Sequence, residues 1–258
     1  MAGQASAPLG TAEWTRQTKG RLTRRERCSF VAQAARFQAA ALPEQLAGLL
    51  RLRPGGGGGD VVRLADLAPP ATALTREAED RAAALPAYLC DHSHRTYLWG
   101  ACLAALDGLR YDREALYVAA LLHDAGLAQE HNRDECFTLT GIDHAVAAAA
   151  AAGCAGAELA SVAADAIALH VNPIVKVERG VEAHLLAAGA ALDVVGRHHR
   201  RLDIATVRAI VDRHPRQGFK ASFRSAWRDE AERVPQGRAA VLQRLGFGLA
   251  IRLAPFDE

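Results

Sequence analysis

The sequence predicts an all-α protein. Alanine is the commonest of the 258 residues and aromatic residues make up only 5%; runs of β-branched residues are few, so helices are favoured over strands. After Pro69 and Pro70, apolar residues recur at steps of three and four, which is the spacing of one helix face. Half of the residues are apolar, which is enough to bury a core in a chain of this length.

The first 59 residues are predicted to form a basic arm that ends in a flexible linker. Pro54 is followed by five glycines, Gly55 to Gly59, which have no side chains to pack. Residues 22–50 have helical composition interrupted at Pro43, so we expect one or two helices, either docked on the main domain or covering it. The first 53 residues carry nine Arg or Lys against three Glu, a pattern typical of a solvated helix face. Residues 60–258 are expected to form one domain.

Two histidines lie on the apolar faces of the first predicted helices of this domain. Steps of three and four along the chain place five residues on one stripe of the first helix: Leu89, His92, Thr96, Trp99 and Leu103. The next helix, residues 116–127, carries His123 on its apolar face, with Asp124 adjacent and Gly126 near its end. We therefore expect His92 and His123 to face inward.

Three more helices complete the region of interest. An alanine-rich helix covers residues 145–152, and a helix opened by Glu158 carries His170 on its apolar stripe before Pro173 ends it. The third runs from about residue 181 to 196. On this helix Gly189 and Asp193 share a side, so a neighbouring helix can approach closely one turn before the carboxylate. Further helices are expected at about 204–213, 220–232 and 236–253.

The histidines and two aspartates indicate a metal site. A carboxylate such as Asp124 within an apolar helix is costly to bury unpaired, and a cation is its simplest partner, with an arginine as the alternative. Adjacent helical residues diverge by about 100°, yet His123 and Asp124 can both reach one ion. With His92 and Asp193 added, one divalent cation holds three helices through three or four ligands. Imidazoles and carboxylates suit Zn²⁺, Fe²⁺, Mn²⁺, Ni²⁺ or Co²⁺, and Zn²⁺ is favoured.

Composition and missing motifs exclude several classes of protein. A formal charge of +2 does not indicate a nucleic-acid partner. Neither a signal peptide nor a membrane span is predicted, and five cysteines without a CxxC pair indicate reduced thiols in a cytoplasmic protein. The glycine run is not a phosphate loop, because no GK[ST] follows it, and no GxSxG motif is present. We expect a small-molecule substrate and no membrane partner.

The order His, then His-Asp, then Asp on successive helices resembles the HD-domain superfamily of metal-dependent enzymes. More specifically, seven pieces spanning about residues 60–255 are similar to its cyanamide hydratase-like branch. These pieces are His92-Ser93-x-Arg95, Leu122-His123-Asp124-x-Gly126, Phe137-x-x-x-Gly141, Ala166-Ile167-x-Leu169-His170, Gly180-x-Glu182-Ala183, Gly189-Ala190-Ala191-Leu192-Asp193 and Pro215-Arg216-x-Gly218-Phe219-Lys220. The resemblance implies an HD-domain helical bundle with a metal site between its helices.

The resemblance also implies roles for individual residues. The implied ligands are His92, His123, Asp124 and Asp193, and His94 has no ligand role. Arg95 either orients the site by pairing with a carboxylate or carbonyl, or forms a structural salt bridge. Phe137 stands where binuclear members of the superfamily have a histidine, so a mononuclear site is expected with His170 lining the pocket; a second metal near His170 remains an alternative.

The expected reaction is addition of water to a small substrate with a nitrile-like or amide-like carbon, as in cyanamide hydratases. The cation activates a water molecule, Asp124 or Asp193, bound through one oxygen, takes its proton with the other, and His170 shuttles the proton to the product. A phosphohydrolase acting on a nucleotide or phosphate ester is the first alternative, and basic groups such as His94, Arg95, Lys176 or Arg179 near the metal would favour it. An inactive regulatory or small-molecule-binding module stapled by the metal is the second. The natural substrate and the oligomeric state are left open.

Overall fold

The computed structural model describes residues 7–49, 62–128, 134–154 and 158–258. These residues form twelve α-helices and contain no β-strand, which confirms the all-α prediction. None of the helices in these ranges is long and apolar enough to cross a membrane. The helices are α1 (Ala12–Thr18), α2 (Arg24–Leu49), α3 (Ala73–Ala83), α4 (Ala87–Asp107), α5 (Arg113–Leu122), α6 (Phe137–Ala151), α7 (Glu158–Leu169), α8 (Val181–Val195), α9 (Ile204–Arg213), α10 (Phe219–Arg233), α11 (Arg238–Arg244) and α12 (Phe247–Arg252).

Helices α4 and α8 pack against each other at the centre of the bundle; α5 and α7 pack on this pair, and α6 packs on α5 and α7. Glycines make the central crossing possible. A Cβ atom on Gly189 would lie 2.3 Å from the carbonyl oxygen of Thr96, and one on Gly100 would lie 2.8 Å from that of Leu185. The predicted close approach at Gly189 is therefore present, and it brings Asp193, one turn later, beside α4.

Helix α5 ends earlier than the sequence predicts. Asp112 caps its first turn by accepting hydrogen bonds from the backbone N–H groups of Glu114 and Ala115. The helix stops at Leu122, and a 3₁₀ turn, Ala125–Leu127, follows. The predicted continuation to residue 127 is wrong because the chain turns to pass the start of α6, where a Cβ on Gly126 would lie 2.2 Å from the carbonyl oxygen of Phe137.

The N-terminal helices contact the rest of the bundle. Helix α1 packs against α6 and α7, where the backbone N–H of Ala12 donates to Asp165, and α2 packs against α11. Helix α2 continues through residue 43, so the expected break at Pro43 is wrong. A proline removes only one backbone hydrogen bond of a long helix. The predicted glycine linker and the domain boundary at residues 59 and 60 lie outside the described residues.

The last part of the chain folds back onto α4 and α10. The segment predicted as one helix, residues 236–253, is divided into α11 and α12 at Gly246, whose φ of +88° suits glycine. The Phe256 ring stacks on Trp99 with centroids 6.1 Å apart. The Arg216 guanidinium lies between two rings, 4.7 Å from Phe219 and 4.7 Å from Phe256. The residues after α12 thus cover Arg216, whose side chain is almost fully buried.

Candidate metal centre

Three predicted ligands converge on one point in the structure. The Nε2 atoms of His92 and His123 are 3.2 Å apart, and each lies 3.3 Å from Oδ2 of Asp124. All three side chains are buried. Ligand atoms held about 2.0–2.1 Å from a tetrahedral zinc ion are about 3.3 Å apart. The triangle therefore has the dimensions of one face of a metal coordination shell, and a buried group of this kind can hold a metal ion.

The backbone fixes which ring nitrogen of each histidine is available. Nδ1 of His123 lies 2.7 Å from the carbonyl oxygen of Ala120 and must donate to it, because a carbonyl only accepts. Nδ1 of His92 lies 2.7 Å from Oδ2 of Asp193 and donates likewise. In the neutral rings both Nε2 atoms then carry lone pairs. Two lone pairs facing each other across 3.2 Å repel unless a cation or a proton lies between them, so the donor set fits a metal ion.

Asp193, the fourth expected ligand, lies outside this triangle. Its Oδ1 accepts hydrogen bonds from Arg95 Nε at 2.8 Å, Trp99 Nε1 at 2.9 Å and Arg216 Nη1 at 2.8 Å. Its Oδ2 accepts from Arg95 Nη2 at 2.9 Å and faces Nδ1 of His92. Both oxygens of Asp193 thus face neighbouring donors, and the possible metal-binding group in this structure consists of His92, His123 and Asp124. Its contact with His92 orients that ring from behind.

Arg95 makes both kinds of contact that the sequence analysis considered. Besides its two bonds to Asp193, its Nη1 donates to the carbonyl oxygens of His214 at 3.0 Å and Pro215 at 2.8 Å. Its side chain is fully buried, and its hydrogen bonds go to Asp193, His214 and Pro215 rather than to a residue of the triangle. Arg95 therefore acts on the site through Asp193 and is a positioning residue, not a catalytic one.

His170 lies beside the triangle, on the other carboxylate oxygen of Asp124. Its Nε2 is 3.3 Å from Asp124 Oδ1, while its Nδ1 donates to the carbonyl oxygen of Ile167 at 2.6 Å. Asp124 Oδ1 is buried and forms no hydrogen bond in this geometry. An unsatisfied buried carboxylate oxygen is costly, so this atom also points to a proton or ligand that the chain itself does not supply.

Charges near the triangle shift the pKa values of its groups. Burial raises the pKa of the Asp124 carboxyl, but the adjacent His123 and the close contacts of His170 and His92 outweigh burial and hold the pKa well below its usual range. For Asp193, Arg95 and Arg216 outweigh burial in the same direction. Burial lowers the pKa of His170. Both aspartates are therefore ionised in the folded protein, as a cation site requires.

A cavity of about 220 Å³ opens onto this centre and is lined by His92, Asp124 and His170. Aromatic rings of α10 enclose His92, with Phe219 stacked at 5.0 Å and Phe223 at 5.4 Å between ring centroids. Arg197 and His198 also line the cavity, and the Arg197 guanidinium lies 4.1 Å from the centre of the Phe37 ring. The remaining walls are mostly apolar.

The other basic residues considered for phosphate binding lie elsewhere. His94 stacks on His214 with centroids 4.6 Å apart and lies 3.4 Å from Glu79. Lys176 and Arg179 are exposed. None of these three side chains lines the cavity.

Sequence reasoning assigned no role to two residues that contact Asp193. Trp99 lies on the predicted stripe of His92, and its indole N–H donates to Asp193 Oδ1. Arg216 belongs to the piece Pro215–Lys220, which was part of the resemblance without a function. Two features of the sequence indicate such a contact: Trp99 lies on a stripe predicted to face inward, and Arg216 belongs to one of the seven pieces that carry the resemblance.

A scan of the chain against protein-family models found no match, and a search of the curated proteins found none either.

Proposed function

We propose that this protein is a metal-dependent enzyme that adds water to a small, uncharged substrate with a nitrile-like or amide-like carbon. The single observation that carries the proposal is the triangle of His92 Nε2, His123 Nε2 and Asp124 Oδ2, with its edges of 3.2 and 3.3 Å. The resemblance to HD-domain proteins of the cyanamide hydratase-like branch supports the same chemistry. We propose Zn²⁺ as the metal, with Fe²⁺, Mn²⁺, Ni²⁺ and Co²⁺ as alternatives.

The side chains have distinct roles in this proposal. A bound divalent cation supplies Lewis acidity and lowers the pKa of a water molecule toward about 7. His92, His123 and Asp124 would hold this cation. Asp193 accepts the Nδ1 proton of His92 in a hydrogen bond, so the Nε2 lone pair of His92 stays available to the cation. Asp124 Oδ1 accepts the proton of the attacking water, and His170 Nε2, 3.3 Å away, carries it to the substrate nitrogen.

The reaction balances without any further reactant. For a nitrile, the water oxygen forms a bond to carbon, one C–N π bond breaks, and a proton goes to nitrogen. The resulting imidic acid rearranges to an amide by moving its hydroxyl proton to the same nitrogen. No charged group is created, and therefore no cationic pocket is needed.

The surroundings of the triangle favour this reaction over phosphate ester hydrolysis. Phosphoryl transfer needs convergent cations around the transferred group. The Arg95 guanidinium is fully engaged by Asp193 and two carbonyl oxygens, and Lys176 and Arg179 lie outside the cavity. Arg197 lines the cavity, but its guanidinium lies over the Phe37 ring, and a single cation does not make a convergent set. Apolar walls suit an uncharged substrate.

The test combines metal analysis with an activity screen. Purified protein is expected to contain close to one divalent ion per chain and to release amide, urea or ammonia from a panel of cyanamide, nitriles and amides. His123→Ala removes one corner of the triangle and should lose both the metal and the activity. His199→Ala is the matched control, because His199 lies in a 3₁₀ turn away from the triangle, where its Nδ1 donates to the Gly196 carbonyl oxygen and its ring lies edge-on to Phe256.

Three results would contradict the proposal. A His123→Ala variant with full metal content would remove the ligand assignment. Release of inorganic phosphate from a nucleotide panel would favour the phosphohydrolase. Metal bound in stoichiometric amount without turnover of any compound in either panel would favour an inactive module that keeps the ion as a structural staple.

A further inference from the structure

The cavity beside the metal centre extends well beyond the ligands. Its volume is about 220 Å³, and His92, Asp124 and His170 form only one part of its surface. A cavity of about 150 Å³ with apolar walls is large enough to bind benzene. The space next to the triangle therefore exceeds what cyanamide, which has no apolar body, would fill.

One face of α8 forms a wall of this cavity that is apolar apart from His184 near the start of the helix. Along this face the side chains are short, and the residues that line the cavity include Ala187, Ala188, Ala191 and Val194. They recur at helical spacing, so they lie in one row. Each alanine leaves space that a larger side chain at the same position would occupy.

Aromatic side chains form the opposite walls. Phe223 and Trp227 come from α10 and Phe247 from α12, and Trp227 packs on Phe247 with ring centroids 4.6 Å apart. Phe37 of α2 also lines the cavity, so an N-terminal helix contributes to its wall. Aromatic and aliphatic walls with few polar groups are typical of sites for molecules with an apolar body.

We infer that the substrate carries an alkyl or aryl body of at least benzene size, which occupies this cavity while its hydratable carbon lies at Asp124 and His170. The alanines of α8 then determine which bodies fit. This inference rests on the proposed function for the reacting group, but the binding of the apolar body depends on the cavity alone.

The test uses straight-chain carboxamides from acetamide to octanamide, which carry the product-type head group on a body of increasing length. Binding is measured by calorimetry with metal-loaded and with chelator-treated full-length protein. Each added methylene should tighten binding about fourfold in both forms until the cavity is full, the factor that follows from its transfer out of water. The tryptophan fluorescence of the protein should change on binding. The change should be lost in Trp227→Phe, which keeps the other two tryptophans, Trp14 and Trp99.

A pair of alanine variants locates the effect. Ala187→Leu fills part of the cavity and should weaken octanamide binding at least tenfold relative to acetamide binding. Ala147→Leu, at an exposed position of α6, should change neither. Both variants should retain the metal content of the wild-type protein.

The outcomes separate this inference from the proposed function. Affinity independent of chain length, or binding that leaves Trp227 fluorescence unchanged, would overturn the inference even if small nitriles or cyanamide are hydrated. Affinity that rises with chain length and falls in Ala187→Leu would support it even if no member of the panel is turned over, a result that would count against the proposed reaction instead.

Discussion

Asp193 is the residue on which the orientation of His92 depends. It is fully buried and accepts hydrogen bonds from two arginines, a tryptophan and His92. Outer partners of this kind fix the ring and the tautomer of a metal-binding histidine. Asp124 is different, because one of its oxygens has no hydrogen bond within the chain. Asp193 therefore stabilises the fold, whereas Asp124 has an oxygen that a bound ion or molecule can contact.

This difference predicts that neutralising Asp193 and neutralising Asp124 lower the free energy of unfolding of the metal-free protein by different amounts. Asp193→Asn leaves Arg95 and Arg216 buried without a counter-charge and should lower the free energy of unfolding by about 3–5 kcal/mol. Asp124→Asn removes a carboxylate that contacts three histidines and no arginine, so no buried guanidinium loses its counter-charge and the free energy of unfolding should fall by only about 1–2 kcal/mol. Urea denaturation after chelator treatment measures both values. Equal losses of unfolding free energy in the two variants would contradict the different roles assigned to Asp193 and Asp124.

The triangle itself was predictable, whereas the position of Asp193 was not. His92, His123 and Asp124 could be identified because a carboxylate and two imidazoles on apolar faces need a common partner. Whether Asp193 contacts an ion or arginines depends on where Arg216 and Trp99 lie, and Arg216 comes from a loop 23 residues later in the chain. Helical periodicity carries no information about such long-range contacts.

At the scale of elements, the crossing of α4 and α8 sets the distance between His92 and Asp193. Gly189 of α8 contacts the backbone of α4, where a Cβ atom would also come within 2.9 Å of the Gly100 nitrogen. The atoms in the way are backbone atoms, which cannot move aside as a flexible side chain would. The two helices are therefore held closer together than any other residue at position 189 would allow.

Gly189→Ala should therefore force α4 and α8 apart and lower the free energy of unfolding by about 1–3 kcal/mol. The separation also moves Asp193 relative to His92, so metal affinity should fall in the same variant. Gly248→Ala is the matched control. Gly248 lies within α12, and the nearest atoms to a Cβ at this position would be 3.6 Å away. The stability of this variant should therefore not fall. Chemical denaturation and metal titration of both variants test this, and an unchanged Gly189→Ala protein would contradict the packing argument.

Helix identity was more predictable than helix ends. The segments over α4, α7 and α8 follow from apolar residues at steps of three and four, although α4 is buried on nearly every side between His92 and Ala104. The end of α5 at Leu122 depends on the passage of Gly126 beside Phe137, a contact between two elements that a local pattern does not contain. The continuation of α2 through Pro43 likewise depends on the whole helix, since the loss of one backbone bond can be outweighed by the rest.

For the whole molecule, Glu230 makes stability depend on pH near neutrality. Its side chain is buried, accepts from the backbone N–H of Phe137 at 3.1 Å and pairs with Arg233. Burial raises its pKa to about 7 from the ordinary value of 4.5. Because the folded state binds this proton more tightly than the unfolded state, the contribution of Glu230 to stability is complete below pH 4.5 and is lost as pH rises through 7.

Glu230→Gln should remove this dependence while keeping the acceptor for Phe137. Each unit of pKa difference is worth about 1.4 kcal/mol, so between pH 5 and pH 8 the wild-type protein should lose up to about 3 kcal/mol more than the variant. Urea unfolding at the two pH values gives the comparison. The exposed Glu178→Gln serves as control and should follow the wild-type curve, and a Glu230→Gln protein that also follows it would contradict the assignment.

The C-terminal residues connect the surface of the molecule to its buried ion pair. Phe256 lies over Arg216 on one side and stacks on Trp99 on the other, and Lys220 donates to the carbonyl oxygens of Ala254 and Phe256. Removal of Phe256 and the residues after it would admit water to the Arg216–Asp193 pair without cutting any of the described helices. Loss of the proposed metal should then precede loss of helical circular dichroism, so truncated protein would look folded while its metal site is empty.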